Sequence, residues 1–146
     1  MKFTDTLTNY SGRLNLKIYK NGKLIDEDMG HNLIVTTGKE MLAGLLGGSK
    51  TGKYITSIGV GTSATDPNTA DTSITNAYMV PVSSVEYTGT TVRFNFAIGN
   101  SDANGMAIRE YGLFFSDGSI MSRRVRQSVI GKEADISITG YWEITF

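Results

Sequence analysis

The sequence predicts a mainly β protein: an antiparallel β-sandwich of about seven to nine strands, with one short helix near residues 38–46. Three observations support this fold class. Several segments alternate apolar and polar side chains with the period of two that is typical of a half-buried strand. Tight-turn signals such as Asn21-Gly22 and Asp117-Gly118 join successive segments. No repeated strand–helix alternation is present that would build a parallel sheet.

The first strand is predicted over residues 13–19, where three apolar side chains point to one face and polar side chains to the other. Asn21-Gly22 follows, and a type I′ turn needs positive φ at both of its central residues. Residues 24–28 then return as the partner strand, and residues 32–35 form a further apolar stretch. The chain is therefore expected to begin with a β-hairpin.

The one helix is predicted from its caps and its apolar face. Thr37 and Glu40 have the spacing of a capping box, in which each side chain bonds the other residue's backbone N–H. Gly47-Gly48 predicts a left-handed stop. We expect the helix to lie on a sheet as a lid through four apolar residues on one face: Met41, Leu42, Leu45 and Leu46.

The remaining alternating segments predict strands and a β meander. They cover residues 54–60, 79–87, 91–99, 107–116, 119–127 and 135–146. Pro81 indicates an edge or bulged strand, because proline cannot donate a ladder hydrogen bond. The last segment places Ile136, Ile138, Trp142, Ile144 and Phe146 on one face, so we expect an internal strand. Residues 61–77 are polar and predict a long surface loop, a kind of segment that often faces a partner.

Composition predicts one domain, residues 13–146, preceded by a flexible N-terminal arm, residues 1–12. The chain has no Cys, which excludes disulfides and Cys nucleophiles. Fourteen basic residues balance fourteen acidic ones, so no nucleic-acid partner is expected. No apolar run approaches the roughly 20 residues of a membrane helix, so no membrane partner is expected either.

A glycine-rich turn matches the spacing of a phosphate-binding loop through Gly47, Gly52 and Lys53. A working loop of this kind lies between a strand and the N-terminus of a following helix. Here the predicted order is reversed, and a helix C-terminus repels phosphate. Tyr54 also stands where Ser or Thr would bind Mg²⁺. The turn is therefore interpreted as a helix stop followed by a solvated segment.

Other candidate chemistry is equally incomplete, so no catalytic, cofactor or metal site is predicted. His31 is the only histidine, and no nucleophile motif accompanies it. The acidic run at residues 26–28 is expected to be solvated, because neighbouring strand residues alternate faces. Residues 102–105 contain a fragment of a calcium loop but lack its final Glu. Glu110 lies between apolar strand residues and is predicted to form an ion pair within or between subunits.

The one basic cluster is Arg123, Arg124 and Arg126. These side chains could bind phosphate or the carboxylates of a partner chain. They could instead form a charged outer face that protects the sheet. We predict a protein–protein interface that includes them together with Asp66 and Asp71 of the long loop.

Four segments in order carry a resemblance to a known group of proteins: NLIVTTGKEMLAGLLGG, ITSIGVGTSATDPNTADTSI, AIREYGLFFSDGSIMSRRV and DISITGYWEITF. This pattern, over residues 32–146, resembles small bacteriophage virion proteins associated with tails or tail fibres, including tail-collar modules. The match includes residues 59–62 and Asp71-Thr72, whereas Ile74 stands where Leu is commoner.

The resemblance implies a non-enzymatic structural component of a tail, baseplate or fibre attachment, acting through protein–protein contacts. Its implied partners are other virion proteins and further copies of itself, as a trimer or hexamer. Its implied location is the virion, assembled in the host cytoplasm. The resemblance supplies no catalytic residues, and no cofactor is expected.

Two alternatives stay open. One is a head decoration or neck protein of the capsid. The other is a carbohydrate-binding module that contacts a host glycan through exposed aromatic rings. Its candidate rings are Tyr54, Tyr78, Tyr87 and Tyr141. Ordinary cross-strand pairing would equally explain these tyrosines.

Overall fold

The computed structural model describes residues 11–146. Its elements are β1 Ser11–Lys20, β2 Lys23–Ile34, α1 Thr36–Gly47, β3 Ile55–Gly61, β4 Tyr78–Pro81, β5 Ser84–Thr88, β6 Thr91–Ile98, β7 Ala107–Phe115, β8 Ile120–Gly131 and β9 Ile136–Thr145. The predicted class, mainly antiparallel β with one short helix, is confirmed. Of the predicted arm, Ser11 and Gly12 belong to β1, and the rest lies outside the described residues.

The nine strands form one antiparallel sheet in the order β4-β3-β7-β8-β2-β1-β9-β6-β5. The sheet curls into a half-barrel, so a single sheet provides both layers that were expected of a sandwich. β2 joins the two sides: it pairs with β1 along most of its length and with β8 only at Leu33 and Ile34. We call β2, β1, β9, β6 and β5 the β1 half, and β8, β7, β3 and β4 the β7 half.

The two ends of the sheet are linked by one short crossing. The Val82 N–H donates to the Thr56 carbonyl of β3 at 2.9 Å, and the next N–H, that of Ser83, donates to the Asn95 carbonyl of β6 at 2.8 Å. Only two residues, Val82 and Ser83, therefore separate the end strands β4 and β5. Pro81 lies in β4, an end strand, as predicted.

The first hairpin follows the sequence closely. Asn21 has φ 51° and Gly22 has φ 77°, as a type I′ turn requires. The three apolar residues of β1 are buried, which confirms the predicted alternation. Residues 32–35 are not a separate strand, because β2 runs without a break to Ile34.

One hydrophobic core lies between the two halves of the curled sheet. β9 is a central strand between β1 and β6, as predicted, and its Trp142 is fully buried. The β1 half contributes an inward-facing set that includes Leu14, Leu16, Ile18, Phe94, Phe96, Ile138 and Ile144. The β7 half contributes a set that includes Ile58, Val60, Tyr111 and Leu113. Phe146 was predicted to be a core residue, but 47% of its surface is exposed.

The predicted capping box of the helix is wrong. α1 begins after Val35, whose side chain makes no cap, and not at Thr37. The start is set by β8: the Val35 N–H donates to the Met121 carbonyl at 3.1 Å. Gly38 packs directly on this strand, because a Cβ there would overlap the same carbonyl. Backbone contact with the sheet therefore determines where the helix begins.

The apolar face of the helix is narrower than predicted. Met41 is buried, and Leu42 and Leu45 pack against the core, but Leu46 is 93% exposed. The glycine stop is confirmed, since Gly48 ends the helix with φ 84°. The helix thus covers the edge of the core with one short row of side chains.

Tyr111→Phe provides a test of the core and of its pH dependence. The Tyr111 ring is fully buried, and its hydroxyl has no hydrogen-bond partner within residues 11–146. A buried hydroxyl without a partner destabilises the folded state, because it loses its hydrogen bonds to water. We therefore expect the free energy of unfolding to rise by about 1 kcal/mol at pH 7 when the hydroxyl is removed. Chemical denaturation measures this change.

Burial raises the pKa of Tyr111 above the ordinary value of 10.0. The folded state therefore holds this proton more tightly than the unfolded state. The resulting stability is present below pH 10 and is lost as the pH rises from there toward the folded pKa. Tyr111→Phe should flatten the alkaline loss of stability, and an unchanged profile above pH 10 would contradict this assignment.

Candidate interaction surface

Residues 62–77 cover the outer face of the β7 half. They form a long connection without helix or strand, as predicted. Ile74 packs here against a small second cluster made by Val35, Phe114 and Ile120. Gly59 allows this contact, because a Cβ there would lie 2.8 Å from the Ile74 side chain. The loop is therefore anchored to the sheet through an apolar contact.

A buried ion pair lies beneath the loop. Arg123 Nε donates to Glu110 Oε1 at 3.0 Å, and the two side chains are 4% and 1% exposed. Glu110 Oε2 also accepts the backbone N–H of Ser63 and that of Thr75, the latter at 3.2 Å. The ion pair predicted for Glu110 is confirmed, and it is intramolecular.

Arg123 uses its remaining donors on the same loop. Its guanidinium donates to Asp71 Oδ2 at 2.9 Å, to the Thr65 carbonyl at 2.9 Å and to the Asp66 carbonyl at 3.3 Å. The structure thus brings together three residues of the predicted interface: Arg123, Asp66 and Asp71. They form a tether inside the chain. The predicted role of these residues in a protein–protein interface stays a prediction. Of the three, Asp66 is exposed at the surface of the loop.

Arg124 and Arg126 close a gap in the sheet. β2 and β8 separate beyond Leu33, and aspartates of β2 meet the arginines of β8 across this separation. Arg124 Nη2 lies 3.1 Å from both Asp28 oxygens, Arg126 Nε lies 3.1 Å from Asp28 Oδ2, and Arg126 Nη2 lies 2.7 Å from Asp26 Oδ2. Ion pairs here replace the backbone ladder.

The register places these charges at the border of the core. Asp28 is directly opposite Leu16 and Asp26 is opposite Ile18, so both carboxylates lie on the inward face of β2. Gly30 makes room for the Arg124 guanidinium, which also donates to the His31 carbonyl at 3.0 Å. The expectation that the acidic run is solvated was wrong for Asp28, which is paired with two arginines.

One residue of the calcium-like fragment at residues 102–105, Asn104, binds a buried lysine. Lys132 is fully buried, and its ammonium donates to Asn104 Oδ1 at 2.8 Å, to the Glu133 carbonyl at 3.1 Å and to the Asn100 carbonyl at 3.4 Å. Burial lowers the pKa of Lys132. Oxygens that could face a cation thus face an ammonium, a role that nothing in the local sequence indicated. Within the described residues no cluster of three His, Asp or Glu side chains could hold a metal.

The end of the sheet at β5 leaves core-facing side chains uncovered. Val85 is opposite Phe94, and Tyr87 is opposite Val92, in rows that continue to buried residues of β9. Yet Val85 is 40% and Tyr87 is 79% exposed. Phe146 lies at the same end, where its N–H donates to the Thr90 carbonyl at 3.1 Å. We call Val85, Tyr87 and Phe146 the open end of the core.

β5 also has a free backbone edge. Within the described residues it pairs with β6 on one side, and no strand pairs with its other side. The single strand predicted over residues 79–87 is wrong, because these residues form β4 and β5 at opposite ends of the sheet; Tyr87 was predicted only as a candidate sugar-stacking ring. Period-two alternation shows which face of a strand a residue occupies. It cannot show whether another part of the protein covers that face, and nothing within the described residues covers Val85 and Tyr87 fully.

Comparison with protein-family models, with curated proteins and with solved structures finds no significant match to this chain. Among residues 11–146, no helix has both the length and the apolar character needed to span a membrane.

Arg123→Met tests the tether of the long loop. Breaking a buried pair leaves Glu110 charged and unpaired, which costs about 3–5 kcal/mol. We expect a loss of this size in unfolding free energy and faster hydrogen exchange at the amides of Ser63 and Thr75. Arg109→Met is the matched control, because Arg109 makes no side-chain hydrogen bond or ion pair within the described chain. Equal stability of the two variants would contradict the tether.

Proposed function

We propose that this protein is a structural subunit of a bacteriophage particle, in the tail, baseplate or fibre-attachment region, and that it acts through protein–protein contacts. Its placement in a particle is supported by the ordered motifs of residues 32–146 that resemble tail-associated virion proteins. The observation that carries the contact function is the open end of the core, together with the unpaired edge of β5.

An open end of this kind is costly in an isolated chain. Val85 and Tyr87 continue the inward rows, so exposing them leaves core-facing apolar surface in water, at about 25 cal/mol per Å². An unpaired strand edge adjoins this surface and can accept another strand. A neighbour that covers both features regains apolar burial and backbone hydrogen bonds together. Contiguous apolar surface of this kind is typical of an interaction site.

The neighbour we propose is a second copy of the chain, in a closed ring of three or six subunits. Closed symmetry satisfies every interface equally and stops growth at a fixed size. The body of the subunit suits this role, because its two sheet ends are linked at Val82 and its long loop is tethered by Arg123. Other virion proteins would then contact the faces that the ring leaves exposed.

Tyr87→Ser and Val85→Ser test the ring. Sedimentation should show an oligomer for the wild type and a shift toward monomer for both variants. Losing a central aromatic contact costs about 2 kcal/mol or more, which corresponds to association at least roughly 30-fold weaker. Leu46→Ser is the control, because Leu46 is 93% exposed and lies on α1, which packs on β8 and not on β5. A wild-type protein that stays monomeric would contradict self-assembly through the open end.

Immuno-electron microscopy of intact particles tests the location. We expect the label at the tail or its attachment region. Label over the head would instead support a decoration or neck protein of the capsid, and unlabelled particles would contradict a virion role.

A further inference from the structure

The outer face of the β1 half carries a polar groove that neither the fold nor the proposed assembly uses. Asn15 of β1 and Asn95 of β6 are each directly opposite Tyr141 of β9, so the three side chains form one row across three strands. Lys17 and Thr139 extend the row into a groove of about 300 Å³. This volume lies at the lower limit for small-molecule sites, which is also about 300 Å³.

Asn15 is the feature that points to a ligand. Only 4% of its surface is exposed, yet its side-chain amide has no hydrogen-bond partner within residues 11–146. Its amide atoms are not among the fully buried unpaired atoms, so they reach solvent at the groove. The amide lines the groove, so its donors and its acceptor are available to a molecule bound there.

Tyr141 is held in place on one side. The Arg93 guanidinium lies over its ring, 3.9 Å from the centroid, and Arg93 Nε donates to Glu143 Oε1 at 2.8 Å. A cation over one face and a carboxylate holding that cation fix the orientation of the ring. Along β9, Tyr141 lies between Glu143 and Thr139. Arg93 is opposite Glu143, so it covers the ring on that side. The other face of the ring borders the groove on the Thr139 side.

The groove continues into a larger depression. Beyond Arg93 lies an open space of about 720 Å³, lined by Glu86, Tyr87, Thr88, Thr91, Arg93 and Glu143. Arg93 lines the larger depression and Tyr141 lines the groove, so the Arg93–Tyr141 contact lies between the two. Two neighbouring depressions suit a chain of linked units better than one small molecule.

We infer that this groove binds a glycan, with one pyranose unit against Tyr141 and its hydroxyls bonded to Asn15 and Asn95. A sugar presents C–H groups on one face, which suit the negative face of an aromatic ring, and hydroxyls that both donate and accept, as amides do. Glu86 and Glu143 in the extension disfavour a polyphosphate chain. A hydrophobic peptide would leave the polar side chains of the groove, among them Asn15 and Asn95, without hydrogen-bond partners.

The groove itself is separate from the open end, because none of its lining residues is Val85, Tyr87 or Phe146, although Tyr87 also lines the larger depression. A glycan array of bacterial and mammalian oligosaccharides is the first test, followed by titration of the bound oligosaccharide in solution. Free monosaccharides in parallel titrations show whether one unit suffices or the extension is needed. We expect binding by the wild type, and no bound glycan on the array would overturn the inference.

Variants then locate the site. Tyr141→Ala and Asn15→Leu should each weaken binding at least about 10-fold, whereas Tyr141→Phe keeps the stacking ring and should bind nearly as well. Tyr54→Ala is the control and should bind like the wild type. If Asn15→Leu fails to fold, Lys17→Ala on the exposed border of the groove replaces it. Unchanged binding by Tyr141→Ala would overturn the site. Val85→Ser, at an open-end residue that lines neither depression, should alter assembly without altering glycan binding.

Discussion

The buried pair between Arg123 and Glu110 is the interaction on which the β7 half depends. Each charge lies in the interior of a central strand, where an unpaired ion would cost several kcal/mol. The two residues neutralise each other, but a guanidinium and a carboxylate have more donors and acceptors than one contact can satisfy. The 62–77 loop supplies the remainder through main-chain groups and Asp71. The pair therefore determines the path of the loop.

This tether changes the role of the long loop. A polar segment of this length would usually be mobile and free to meet a partner. Here its carbonyls and amides are used inside the subunit, and Ile74 adds an apolar anchor. The loop acts as a third layer over the sheet. As a result the β7 half presents a stiff surface, and contact with neighbours is directed to other parts of the molecule.

The curled sheet has two discontinuities, and the chain treats them differently. Between β2 and β8, aspartates and arginines occupy inward positions and seal the side of the core with ion pairs. At β5, the inward positions carry Val85 and Tyr87, and no other element within the described residues covers them. Charged side chains discourage strand addition, whereas apolar ones favour it. This contrast is why we assign assembly to β5 and not to the arginine cluster.

Local chemistry determined much of the fold, and the sequence alone was enough to predict it. Alternation identified the strands and their inward residues, Asn21-Gly22 the first turn, Gly48 the helix stop, and Pro81 an end strand. An ion pair at Glu110 was predictable because a charge between apolar strand residues must be compensated. These features depend on a few neighbouring residues, whose backbone preferences and side-chain periods act over short distances.

Only the tertiary structure decided which residues meet across the sheet. It placed Arg123 beneath the loop, paired Arg124 and Arg126 with aspartates about a hundred residues earlier, and set the helix start against Met121. It also showed that Leu46, Tyr87 and Phe146 are apolar but uncovered, and that Lys132 and Asn15 are polar but buried. Period-two alternation assigns a residue to a face of its strand. What lies opposite that face depends on the order and curvature of all nine strands, a global property that no local pattern encodes.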